Sequence, residues 1–146
     1  MFENTEIVLV VDDEISDLEA MEKLLKEQGY TVISAQDYPE AMAVFGTYKG
    51  EIDLLLTDIS LPGRNGCDLA KALLRLKRDL KVLFVSGHAG AEICRFYDIP
   101  KSDLHFLRKP LKPAELLSRV RQVLNSTEPF LEPPDDAEEA AQNDHF

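Results

Sequence analysis

The sequence is short of cysteine, of positive charge and of long apolar runs. Cys67 and Cys94 are the only cysteines, and no CxxC or Cys/His spacing surrounds them. That argues against a disulfide-stapled scaffold or a cysteine-based metal site, and favours two buried reduced thiols over either. Lys and Arg number 16 against 27 Asp and Glu, for a net charge of −11. A face able to track nucleic-acid phosphates is therefore not expected. No apolar run approaches the roughly 20 residues that span a bilayer. The opening stretch, MFENTEIVLVV, holds acids and no Lys or Arg, unlike a secretory signal. The expected compartment is the cytoplasm, with no membrane partner.

What is present suits one domain. The 146 residues are 45% hydrophobic, enough to bury a core of ordinary size. The charge is uneven: beyond Asn125 there are seven acids and no Lys or Arg. That segment, NSTEPFLEPPDDAEEAAQNDHF, is rich in Pro and acid. It has too little apolar surface to offset the entropy of ordering. The expected division is a folded domain over residues 1–125 and an acidic, Pro-rich disordered tail or linker over 126–146. There is no internal repeat.

Within the folded part, apolar runs alternate with helical patterns. IVLVV (7–11), TVISA (31–35), DLLLTD (53–58), KVLFVS (81–86) and HFLR (105–108) read as strands. Ile15, Leu18, Met21, Leu24 and Leu25 recur at helical spacing until Gly29 stops them. A second helix is expected from about Pro39 to Tyr48 and a third over Leu69–Leu76. Pro113 starts a last one. The helix signal between Ser86 and His105 is short, about Ala91 to Phe96, so a shortened fourth helix and an irregular loop are expected there. Alternating strands and helices predict a doubly wound α/β fold, a five-stranded parallel sheet with helices on both faces. Strands apolar at nearly every position fit a sheet covered on both sides.

In such sheets ligands bind beyond the carboxyl ends of the strands. The first strand ends in Asp12 and Asp13, the third in Asp58 and the fourth in Ser86, and the fifth leads into Lys109. Asp12 and Asp13 alone could be helix-capping acids. Together with Asp58 they form a set whose mutual repulsion favours a bound cation, and small all-oxygen sites suit Mg²⁺. With Lys109 nearby, Asp58 would stay ionised and could attack phosphorus to give an acyl phosphate.

The motifs VVDDE, LLLTDISLPGRNG, FVSG and FLRKP, in that order and each at a strand end, resemble the receiver domain of two-component response regulators. The likeness spans about residues 6 to 125. It implies a flavodoxin-like sheet of order 2-1-3-4-5 and a phosphoryl group received from a histidine kinase or phosphotransfer protein. By position, Asp58 matches the phosphoacceptor. Asp13 and Asp58 match direct Mg²⁺ ligands, Asp12 an acid that helps hold the ion, and Ser60 the ligand that binds through its backbone carbonyl. Lys109 matches the lysine that pairs with the phosphoryl group, and Lys109–Pro110 the family's cis peptide. Ser86 and Phe106 match the hydroxyl and the aromatic ring of the switch.

Departures are Phe106, often Tyr in the family, Gly87 where Ala is commoner, and His88 after it. The implied function is a phosphorylatable switch that catalyses its own phosphorylation and dephosphorylation. It would stand alone or come from a hybrid kinase, and its downstream protein partner is not specified. The alternative is a non-phosphorylated interaction module of the same fold. An FMN-binding protein would need a Ser/Thr/Gly-rich loop where DDEISD stands. An aspartate phosphatase usually spaces its two acids differently from DDE.

Overall fold

In the computed structural model, the residues described are 5–48, 50–87 and 103–127. The elements run β1 (Ile7–Val11), α1 (Ile15–Glu27), β2 (Thr31–Ala35), α2 (Tyr38–Thr47), β3 (Leu54–Asp58), α3 (Gly66–Leu76) and β4 (Lys81–Ser86). A single 3₁₀ turn (Asp103–His105), β5 (Phe106–Arg108) and α4 (Pro113–Asn125) complete them. The five strands are ordered β2-β1-β3-β4-β5, and every pairing is parallel. This is the expected flavodoxin-like, doubly wound sheet. The shortened helix expected at 91–96, Cys94, His88 and nearly all of the acidic tail lie outside the described residues.

Strand side chains alternate between two cores. Leu9, Val11, Leu55, Val82 and Phe84 face Phe45 of α2 and Leu69 and Leu73 of α3. Val8, Val10, Leu54, Leu56, Leu83 and Val85 face Leu18, Met21 and Leu25 of α1 and Leu116, Val120 and Val123 of α4. All of the strand residues named are completely buried, which is why the strands carry no polar alternation. Each such side chain contributes about 1.5–3 kcal/mol of burial free energy.

β3 starts at Leu54, one residue later than the DLLLTD run, and two further boundaries differ from the sequence reading for local reasons. α3 starts at Gly66, ahead of Leu69, because Asn65 caps it. The Asn65 side chain accepts from the Asp68 N–H at 3.0 Å, and the Asp68 carboxylate accepts from the Asn65 N–H at 3.1 Å. This reciprocal box satisfies two backbone donors that a helix start leaves open. His105 belongs to the 3₁₀ turn, so β5 is one residue shorter than the HFLR run. At α2, Asp37 caps the Glu40 N–H at 2.9 Å, and Pro39 sits in the first turn, where its missing N–H costs nothing.

Candidate functional site at the carboxyl rim of the sheet

Parallel pairing brings the ends of β1, β3, β4 and β5 to one rim. Val11 lies opposite Thr57, Asp58 opposite Val85 and Ser86 opposite Arg108. The residues that follow β1 and β5, Asp12 and Lys109, therefore emerge beside Asp58. Sheet-like backbone bonds continue past both strands, from Asp12 N–H to the Ala35 carbonyl at 3.2 Å and from Lys109 N–H to the Ser86 carbonyl at 2.9 Å. The Lys109–Pro110 peptide is cis.

Asp12 is fully buried and Asp58 nearly so, while Asp13 is exposed. One carboxylate oxygen from each of the three can lie within 4.8 Å of the others. The oxygens have divided duties. Asp12 Oδ1 accepts from the Glu14 N–H at 2.9 Å, and Asp58 Oδ1 accepts from the Ser60 N–H at 2.9 Å. Their Oδ2 atoms both accept from the Lys109 ammonium, at 3.0 Å and 2.8 Å. The helix-capping alternative for Asp12 does not describe its place: the residue capping α1 is Glu14, with no side-chain cap bond.

Burial pushes the Asp12 carboxyl above the usual aspartate range, and the neighbouring Asp58 charge adds to this. The hydrogen bonds from Glu14 and Lys109 offset the shift only partly. For Lys109, burial alone would lower the ammonium pKa. Hydrogen bonds to Asp58, Asp17 and Asp12 outweigh burial and hold it above the ordinary lysine value. The site thus has a surplus of negative charge around one fixed cation. The donor set is entirely oxygen, compact and anionic, which fits Mg²⁺ and not a soft metal.

Two features shape the approach to Asp58. A Cβ at Gly66 would overlap the Asp58 carbonyl oxygen and stand 3.0 Å from Ile59 Cα. Only glycine lets α3 begin this close to the end of β3. The loop between them turns through Gly63 at φ +73°, and the Arg64 guanidinium lies 4.5 Å from the centre of the Tyr38 ring, tying the loop to α2. On the other side, a groove of about 620 Å³ runs beside Lys109, lined also by Asp17, Met21, Leu24, Pro110 and Leu111.

The residues singled out in the sequence divide into two groups. Asp12, Asp13, Asp58 and Lys109 converge, and Ser60 joins them through its backbone N–H. Ser86 ends β4 and is half-buried. Phe106 is half-buried and stacks on Phe84 with ring centroids 5.3 Å apart. Neither Ser86 nor Phe106 is among the contacts just described around Asp58. One participant was missed: Asp17, in the first turn of α1, accepts from Lys109 Nζ at 2.9 Å. Helical side chains lean toward the N-terminus, so an acid one turn into α1 reaches back over the rim. The signal was the last acid of DDEISD, set apart from the DDE cluster.

The fold and this rim define a class: doubly wound α/β proteins with an acidic, lysine-bearing site at the carboxyl ends of the strands. The sequence profile of the response regulator receiver domain matches residues 8–121, and the chain belongs to that family of two-component receiver domains. It is 30% identical over 120 residues to the aerobic respiration control protein ArcA of Escherichia coli (strain K12), covering 82% of this chain and 49% of that protein. It is 31% identical over 118 residues to the sensor kinase CckA of Brucella abortus, covering 80% of this chain and 12% of the kinase. It thus spans half or less of the length of these relatives. Among solved structures, a response regulator receiver protein from Sinorhizobium medicae superimposes with a TM-score of 0.74 at 27% identity. That match covers 86% of this chain and 98% of the other. Among the described residues no helix is long and apolar enough to cross a membrane.

Proposed function

We propose that the chain is a cytoplasmic phosphorylation switch, with residues 1–125 as the receiver unit. Asp58 takes a phosphoryl group from a phosphohistidine on a histidine kinase or phosphotransfer protein. The observation that carries this reading is the environment of Asp58. It is a nearly buried carboxylate held at one oxygen by the Ser60 N–H and at the other by an ammonium, beside Asp12 and Asp13.

Asp12, Asp13, Asp58 and the Ser60 backbone carbonyl would hold Mg²⁺. When bound, the ion supplies a Lewis-acidic charge that shields the phosphoryl oxygens from the surrounding carboxylates. An Asp58 oxygen attacks phosphorus, forming the O–P bond. The P–N bond to the donor imidazole breaks, and its electron pair returns to the ring. The Ser60 N–H fixes the carboxylate orientation for in-line attack. Lys109 holds the Asp58 carboxylate before transfer and meets the added negative charge afterwards. Ser86, at the end of the adjacent strand, would answer that charge with its hydroxyl. Phe106, two positions before Arg108 on β5, would carry the rearrangement outward by repacking against Phe84.

Intact-mass analysis after acetyl phosphate and Mg²⁺ tests the reading. The wild-type chain gains one phosphoryl group and Asp58→Asn gains none, because an amide is not a competent nucleophile. A wild type that stays unmodified would favour the non-phosphorylated interaction module. Equal modification of both proteins would show that Asp58 is not the acceptor.

A further inference from the structure

The Lys109 ammonium has three N–H bonds and three carboxylate acceptors: Asp12 Oδ2 at 3.0 Å, Asp17 Oδ2 at 2.9 Å and Asp58 Oδ2 at 2.8 Å. Its donor capacity is therefore filled. The three acceptors are not equivalent. Asp12 and Asp58 belong to the carboxylate group that can share a cation, and Asp17 does not. Asp17 stands on α1 and lines the groove beside Lys109.

We propose that Asp17 is a positioning residue that latches Lys109 in the unphosphorylated chain and competes with the phosphoryl group for its ammonium. This inference rests on the assignment of Asp58 as acceptor. A phosphoryl oxygen is a fourth acceptor, and an ammonium already giving all its protons must loosen an existing bond to meet it. Asp12 and Asp58 would turn their charge to a divalent ion held between them, whereas Asp17 lies outside that group and would keep its bond to Lys109. Asp17 is thus the partner that holds Lys109 back when the others release it. By linkage, a contact that is strongest in the unphosphorylated form lowers affinity for whatever draws the lysine away.

The test uses the full chain and beryllofluoride, which mimics a phosphoryl group on a carboxylate without covalent transfer, titrated in the presence of Mg²⁺. Asp17→Asn keeps the side-chain shape and removes the charge; it is expected to tighten beryllofluoride binding by about threefold to tenfold, the range for one partly exposed charged hydrogen bond. Glu14→Gln, an exposed neighbour whose side chain is not among the Lys109 acceptors, controls for simply removing a negative charge. Its effect is expected to be smaller.

A second readout needs neither metal nor phosphoryl mimic. In the metal-free chain, nitrogen-resolved NMR of lysine side chains should show faster exchange of the Lys109 ammonium protons in Asp17→Asn than in wild type. Asp17→Asn that binds no tighter than Glu14→Gln, or equal proton exchange in the two proteins, would overturn the latch while leaving Asp58 as acceptor. A wild-type chain that binds no beryllofluoride would overturn the acceptor assignment and the latch with it.

Discussion

The two ends of the same sheet treat polar groups in opposite ways. At the amino end, charged side chains pair with backbone groups or with one another. Asp53 Oδ2 accepts from the Ile7 N–H at 2.8 Å, joining β1 to the start of β3. Lys77 Nζ donates to the Gly50 and Ile52 carbonyls at 2.8 and 2.7 Å, and Lys81 Nζ donates to the Ser126 carbonyl at 2.6 Å. Arg121 and Glu6 are 2.7 Å apart. At the carboxyl end, one ammonium serves three carboxylates, and Asp13 adds a further negative charge beside two of them. The amino end is arranged for stability. The carboxyl end keeps an unbalanced charge, which costs stability and leaves the site ready for a cation and a phosphoryl group.

Gly66→Ala should give the largest effect at the carboxyl end. The added methyl meets backbone at the end of β3, and backbone cannot swing aside as a flexible side chain can. A loss of about 3 kcal/mol in chemical denaturation is expected, in line with overpacking at a tight site. A loss below about 0.5 kcal/mol would mean that α3 can move away from Asp58 without cost. The geometry of the rim would then be looser than the packing implies.

The amino end offers a smaller, pH-dependent test. His105 is buried, with Nδ1 2.9 Å from the Val82 carbonyl oxygen. Burial, outweighing the pull of that carbonyl, holds its pKa below the ordinary histidine value. As pH falls below about 6.5 the unfolded chain takes up a proton that the folded chain refuses. Stability therefore declines from there down to the lowered folded pKa, by at most about 1.4 kcal/mol per pH unit. Denaturation curves between pH 7 and pH 5, run on wild type and His105→Asn, should show a shallower decline for the variant. Parallel curves would remove His105 from the neutral, satisfied end of the sheet.

The amino-acid pattern made the strands legible because both faces of the sheet are covered, so nearly every strand position is apolar. Asp12 and Asp58 were legible for a related reason: each is the first strongly polar residue at a strand end or just past it, Lys109 follows Arg108 directly after β5, and parallel topology delivers strand ends to one rim. Less legible was whatever depended on direction within a helix or turn. Asp17 reads as an ordinary first-turn acid until α1 is seen to aim it back at Lys109. Asn65 and Asp68 form a capping pair across the end of LPGRNG, a stretch whose Pro and Gly content reads as loop. His105 continues an apparent strand, yet its ring packs against β4 from a 3₁₀ turn. Asp53 reads as the start of β3, and its binding to the β1 backbone depends on register that no local pattern reveals.

The central claim is that the carboxyl rim carries a charge surplus that a divalent cation relieves. Thermal unfolding of wild type and Asp13→Asn, each with and without Mg²⁺, tests it most directly, because a ligand that binds only the folded state raises its stability. The expected result is a clear Mg²⁺-dependent rise in Tm for wild type, little or none for Asp13→Asn, and a metal-free variant at least as stable as metal-free wild type. Equal Mg²⁺ shifts in the two proteins, or no shift in wild type, would contradict the account.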